Sequence, residues 1–204
     1  VVKADAYGLG AAAIAPVLLH AGARSFFVAN AHEGETVRAA IGPEADIYVL
    51  HGYWRADAKT LARCDLIPVI NSVEQLGDWI DDTAGRYALH VDTGMNRLGI
   101  AMRDLPAAAE RARTCPPVLL MSHFACADVP EHELHGRQVE RFGEVRAAFP
   151  GVRTSLANSA GCLLGTEAHG DRVRPGIALY GGAPRPAGRW VRMGNRDAED
   201  PYPS

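Results

Sequence analysis

A lysine closes an apolar run at Val1-Val2-Lys3, and a desolvated lysine amine at a strand end is a nucleophile for carbonyls, the chemistry of a Schiff base. Other polar groups stand directly behind apolar runs of their own. Tyr7 follows the lysine, Asp92-Thr93-Gly94-Met95-Asn96-Arg97 follows a run ending at Val91, and His123 follows Leu119-Leu120-Met121-Ser122. Asn158-Ser159 follows Leu156-Ala157, and Arg174 sits inside the last such run. A hydroxyl with free N–H groups at a helix start cradles an anion, and guanidinium forks grip carboxylates. Brought together, these residues would suit an anionic, planar ligand. Taken singly, each has a plainer reading: a snorkelling lysine, a core histidine, an N-cap at Asn158-Ser159, or a rim ion pair between Arg174 and Asp171. His123, Cys126, His132 and His135 are spaced loosely like zinc ligands, but structural sites usually pair two close ligands across a longer loop, so no metal is expected.

The elements that must position these groups alternate. Eight β-rich runs, each followed by helical character, recur about every 25 residues. The expected strands are Val1–Lys3, Ser25–Ala29, Asp46–Leu50, Leu66–Ile70, Tyr87–Asp92, Val118–His123, Val152–Ala157 and Val173–Tyr180. Their unbroken apolar runs, such as Ile47-Tyr48-Val49-Leu50, fit parallel strands covered on both faces. Gly10–Ala21 reads as a helix stopped by Gly22. Val139, Phe142, Val145 and Phe149 fall on one face of another, ended by Pro150-Gly151.

The pattern predicts an α/β fold, a (β/α)8 barrel of the TIM type over residues 1–182, with a polar tail over 183–204 that reads as disordered. A full barrel takes about 250 residues. The 204 residues here therefore predict tight loops or truncation at both ends. Active sites of such barrels form at the C-terminal ends of the strands, and that rule gathers the polar groups at one mouth.

Composition narrows the partners. With 48% hydrophobic and 22% charged residues the chain is an ordinary globular one. A net charge of −3 without a basic cluster argues against nucleic acid. No apolar run approaches the ~18 residues of a membrane span. Cys64, Cys115, Cys126 and Cys162 form neither a CxxC pair nor a dense framework, which points to a reducing, cytoplasmic setting.

Five segments, VVKADAYGLG, HVDTGMNRLG, SHFACAD, NSAG and RPGIALYG, in order and at the expected strand ends, resemble the pyridoxal-phosphate barrel of alanine racemases from Val1 to about Tyr180. The resemblance implies interconversion of L- and D-alanine for peptidoglycan synthesis. It implies that Lys3 holds pyridoxal 5'-phosphate covalently and acts as acid or base on one face of the substrate. Tyr7, Asn158 and Ser159 match the phosphate end, and Gly176 and Ile177 match residues offering it backbone N–H groups. Arg174 matches the arginine facing the pyridine nitrogen, His123 the histidine bonded to that arginine, and Arg97 the arginine near the phenolic oxygen and the substrate carboxylate. Leu50 is expected to pack near the ring.

Two departures qualify the match. His90 stands where many relatives carry a lysine that becomes carbamylated and supports the arginine, so Arg97 needs another support. The family's C-terminal β domain, which brings a tyrosine from the partner in a homodimer to the other substrate face, and the helix leading the first strand are expected to lie outside these 204 residues. Racemisation needs proton exchange on both faces, so this chain alone is expected to bind cofactor weakly and racemise poorly. The alternative expectation is a single-domain pyridoxal-phosphate carrier without catalysis.

Overall fold

The apolar runs become parallel strands because each can be covered on both faces, and the computed structural model describes them within residues 1–83 and 85–184. The strands are β1 (Ser25–Val28), β2 (Asp46–Val49), β3 (Leu66–Ile70), β4 (Ala88–Asp92), β5 (Ile100–Ala101), β6 (Leu119–Met121) and β7 (Thr154–Ser155). They pair in parallel in the order β1-β2-β3-β4-β6-β7, with β5 beside β4. The register sets Phe27 against Tyr48, Tyr48 against Ile67, and Leu89 against Leu120. The helical segments are α1 (Lys3–Tyr7), α2 (Ala11–His20), α3 (Ala31–Ile41), α4 (Ala58–Arg63), α5 (Val73–Asp82), α6 (Leu105–Arg111) and α7 (Glu133–Ala148). This is a truncated (β/α) barrel.

Alternation along the strands sorts the core into two layers. Phe26, Val28, Ile47 and Val49 pack outward with helix residues such as Val37, Leu76 and Phe142. Phe27, Tyr48, Ile67, Val69, Ala88, Leu119 and Met121 form a separate cluster of strand residues alone, on the concave side. Phe27 and Tyr48 stack there at 4.7 Å.

The first and last expected strands are corrections. Val1–Lys3 contributes one bond to the ladder, from the Val2 N–H to the Phe27 carbonyl, before the chain turns. In Val173–Tyr180, Pro175 has no N–H to donate, the Gly176 and Ala178 N–H groups go to the Ser159 hydroxyl, and Ile177–Tyr180 coils into a 3-10 turn. Single bonds nevertheless carry the two segments across the gap. Arg174 N–H donates to the Ala157 carbonyl, and the Val1 amino group donates to the Pro175 carbonyl at 2.9 Å. The expected tail falls largely on residues 185–204, outside the described residues.

Two βα turns share one device. Asn30 caps α3 by accepting from Glu33 N–H, and Ser72 caps α5 by accepting from Gln75 N–H. Glu33 and Gln75 then reach back to the N–H of Ala29 and Asn71, one residue before each cap, a variant of the capping box set at the strand ends.

Candidate active site

The strand ends open into one cavity of about 630 Å³. All ten residues singled out from the sequence line it. Lys3 and Tyr7 come from α1, Leu50 from the end of β2, Arg97 from the loop after β4, and His123 from the end of β6. Asn158 and Ser159 follow β7, and Arg174, Gly176 and Ile177 come from the last segment. Phe27, Ala29, His51, Met121 and Asp128 also line it and were not singled out as site residues from the sequence. His90 lines it too.

Lys3 enters through an unusual backbone. Ala4, Asp5 and Ala6 all lie near φ +50°, ψ +50°, and Tyr7 has φ 58°. This is a left-handed turn made without glycine until Gly8, a conformation that costs roughly 1–2 kcal/mol per residue. Such strain persists only where surroundings impose it. Asp5 Oδ1 accepts from Ala11 N–H at 2.6 Å, and Glu33 Oε1 accepts from Ala4 N–H at 3.1 Å.

Arg174 is 4% exposed, yet no carboxylate among the described residues pairs with it. Its guanidinium donates to neutral acceptors only: Ser155 Oγ and the carbonyls of Ser122 and Leu156. The rim ion pair with Asp171 does not form, since Asp171 instead accepts from the Thr154 N–H and hydroxyl. Burial pulls the Arg174 pKa down to about 10, and the group stays cationic at neutral pH.

His123 Nδ1 lies 3.4 Å from Arg174 Nη2. A guanidinium can only donate, so this nitrogen accepts and the neutral ring carries its proton on Nε2. Burial, then the Arg174 charge, lower the His123 pKa to about 2. His90 is likewise held neutral, its pKa lowered to about 3 first by burial and then by Arg174. Its Nδ1 lies 3.0 Å from Asn71 Oδ1, while Asn71 Nδ2 donates to the Leu50 and Val69 carbonyls. Asn71 Oδ1 is therefore an acceptor, and His90 keeps its proton on Nδ1.

Arg97 is exposed and makes no hydrogen bond or ion pair among the described residues. Its loop is fixed instead through Asp92, whose carboxylate accepts from the N–H groups of Gly94, Met95 and Asn96. Behind it, fully buried Gln138 donates to the Thr93 hydroxyl and the His123 carbonyl and accepts from Ala125 N–H. That residue ties the loops after β4 and β6 together and had no signal in the sequence.

The far end of the cavity is built for an anion. Ser159 Oγ accepts from the N–H groups of Gly176 and Ala178, at 2.8 and 3.3 Å, which leaves its own O–H to donate outward. Nothing among the described residues accepts from the Ile177 N–H. Tyr7 closes over this corner so tightly that a Cβ on Gly176 would stand 2.2 Å from the phenolic oxygen. Asn158 has a capping role as well, with Oδ1 accepting from Gly161 N–H at 2.9 Å.

Histidines of the loosely zinc-like spacing are engaged elsewhere. His132 Nδ1 accepts from Leu134 N–H, and the His135 ring packs 4.6 Å from Phe124. Among the described residues no group of three or more His, Cys, Asp and Glu could hold a metal ion. Also among them, no helix is long and apolar enough to cross a membrane.

Known proteins share this fold and much of its sequence. The chain is 49% identical to the alanine racemase of Rhizobium meliloti (strain 1021), over 89% of its own length and 50% of that protein's. It is 49% identical to the biosynthetic alanine racemase of Agrobacterium fabrum, of which it covers 48%. The chain thus spans about half the length of the curated relatives it matches. Among solved structures, it superposes with a TM-score of 0.82 and 35% identity on alanine racemase from Bartonella henselae with covalently bound pyridoxal phosphate, covering 88% of this chain and 55% of that one. The biosynthetic alanine racemase of Pseudomonas aeruginosa gives 0.82 and 37%, with 91% and 53% covered. The pattern of the family described as alanine racemase, N-terminal domain, matches residues 1–184, and the chain belongs to that family.

Proposed function

We propose that this chain is the cofactor-binding barrel of a pyridoxal-phosphate-dependent alanine racemase, interconverting L- and D-alanine for peptidoglycan synthesis in the cytoplasm as part of a homodimer. The carrying observation is Arg174, a buried cation that no carboxylate among the described residues pairs with, in the same cavity as Lys3. A buried unpaired charge is costly, and the site fits a ligand that gives the guanidinium a neutral acceptor at one end and an anion a cradle at the other. A pyridine ring bearing a phosphate has both.

Bound pyridoxal phosphate supplies an aldehyde carbonyl for an amine and an aromatic ring that accepts electron density from the α-carbon. Lys3 would hold it through Nζ, and the same amine, free once the amine of alanine has taken its place, would take or return the Cα proton on one face of the substrate. Arg174 keeps its own protons, so a ring nitrogen placed against it would stay unprotonated and the ring would withdraw less charge. His123, neutral with Nδ1 toward Arg174, holds the guanidinium in place without competing for its charge. Arg97 binds the substrate carboxylate from the open side. Ser159 O–H, Ile177 N–H and the Tyr7 hydroxyl hold the phosphate, and Asn158 and Gly176 shape that corner. Leu50 and Phe27 close the wall against water.

The test is reconstitution. Purified chain mixed with pyridoxal phosphate should develop a visible absorption band that borohydride abolishes, with the added mass on Lys3. Loss of neither band nor adduct in Lys3→Ala refutes the assignment. Alanine racemisation restored by the C-terminal half of a relative supports the racemase. Firm binding that stays silent under the same complementation supports the carrier reading instead.

A further inference from the structure

We propose that Glu33 is a positioning residue for the amine of Lys3, setting the left-handed turn that aims the lysine into the cavity. The inference rests on the reading that Lys3 carries the cofactor. An N3 carboxylate in a capping box needs one oxygen for its strand-end N–H, and in the equivalent box of α5 the Gln75 carbonyl oxygen does that alone. Glu33 does more. Its Oε2 accepts from Ala29 N–H at 2.8 Å, and its Oε1 crosses to another element to accept from Ala4 N–H at 3.1 Å. Accepting on both oxygens requires a carboxylate, since a carboxamide has a single acceptor atom.

The second bond falls at a decisive place. Ala4 N–H belongs to the peptide that joins Lys3 to the first of the left-handed residues, so the bond fixes the plane from which the Lys3 side chain departs. The Lys3 side chain makes no hydrogen bond or ion pair among the described residues, so its direction comes from the backbone. Asp5, bonded to Ala11 N–H, secures the far end of the same turn. Glu33 itself is absent from the cavity lining and acts only through that peptide.

Glu33→Gln is the informative variant, because it preserves size and one acceptor. Two quantities are read: hydrogen exchange at the Ala4 amide, and pyridoxal phosphate captured on Lys3 by borohydride across a concentration series. Loss of one charge-assisted bond predicts about tenfold faster exchange at Ala4 and about tenfold weaker capture, with exchange through residues 34–41 unchanged. Wild-type exchange and capture in this variant overturn the proposal. Asn30→Ala guards against a purely structural effect, since it strips the cap of the same helix and spares the Ala4 bond. If it weakens capture equally at an equal loss of melting temperature, the positioning role is refuted. Should the wild-type chain capture nothing on Lys3, the functional reading fails, while exchange at Ala4 still decides what Glu33 holds.

Discussion

Gly176→Ala should uncouple stability from cofactor binding. The added Cβ would stand 2.2 Å from the Tyr7 phenolic oxygen and 3.0 Å from its Cζ, against an ordinary contact of at least 3.4 Å, so the hydroxyl must retreat by about 1.2 Å. Gly176 has φ −119°, so an alanine meets no left-handed backbone there. Tyr7 is 39% exposed, and its ring can swing outward without opening the core. The melting temperature should therefore fall by no more than about 4 °C. A retreat of that size takes the hydroxyl out of hydrogen-bonding range of a phosphate, and a bond to a charged group contributes about 1.5–3 kcal/mol. Affinity for pyridoxal phosphate should drop about 10- to 150-fold. Absorbance titration measures it, with Tyr7→Phe as the comparison that removes the hydroxyl and leaves the ring. A Gly176→Ala chain that binds like wild type, or one that loses binding only in step with a large loss of stability, would show that Tyr7 does not hold the phosphate.

Acid should destabilise the fold early. His90 and His123 have folded-state pKa values of about 3 and about 2, below the free imidazole value, so the unfolded chain binds protons first as pH falls. Their contribution is complete above pH ~6.5 and declines toward pH 3, by about 1.4 kcal/mol per pH unit for each ring. Urea denaturation between pH 6 and 5 should register it, and His90→Gln should remove about half the slope; an unchanged slope contradicts neutral burial. Gln138→Ala breaks three bonds in a fully buried network and should cost about 3 kcal/mol by the same assay, with a change under 1 kcal/mol counting against it. Gly99→Ala joins a φ of +110° to a Cβ 2.7 Å from the Asp92 backbone nitrogen, which has no flexible end to move aside. A loss of about 2 kcal/mol or more is expected, and a neutral outcome would contradict that tight turn.

The middle of the barrel could be read from the sequence because the pattern there is local. Runs such as Leu66–Ile70 fit only strands covered on both faces, and all six central ones formed, several trimmed at their ends. The outer two were misread for a reason that propensity does not encode. Whether Val173–Tyr180 joins a ladder depends on the Ser159 hydroxyl competing for its N–H groups, an interaction across 17 residues. Most of the polar residues of the cavity stand at the end of an apolar run, and strand ends share one mouth, whereas Leu50, Gly176 and Ile177 were named only through the family resemblance. Glu33, Asn71 and Gln138 were not legible, since a capping glutamate and two amides look ordinary until their distant partners are known. Nor does ADAY advertise four left-handed residues; among its neighbours only Gly8 and Gly10 hint at an abrupt change of direction.

The turn after Lys3 also bears on engineering. Glycine is the residue best suited to positive φ, so a search for thermostability would nominate Ala4 and Ala6 for replacement, each relieving about 1 kcal/mol of strain. Those same alanines deny the loop other shapes. A glycine-rich version could gain heat resistance while letting the reactive amine wander, placing durability and turnover in opposition within a stretch of four residues.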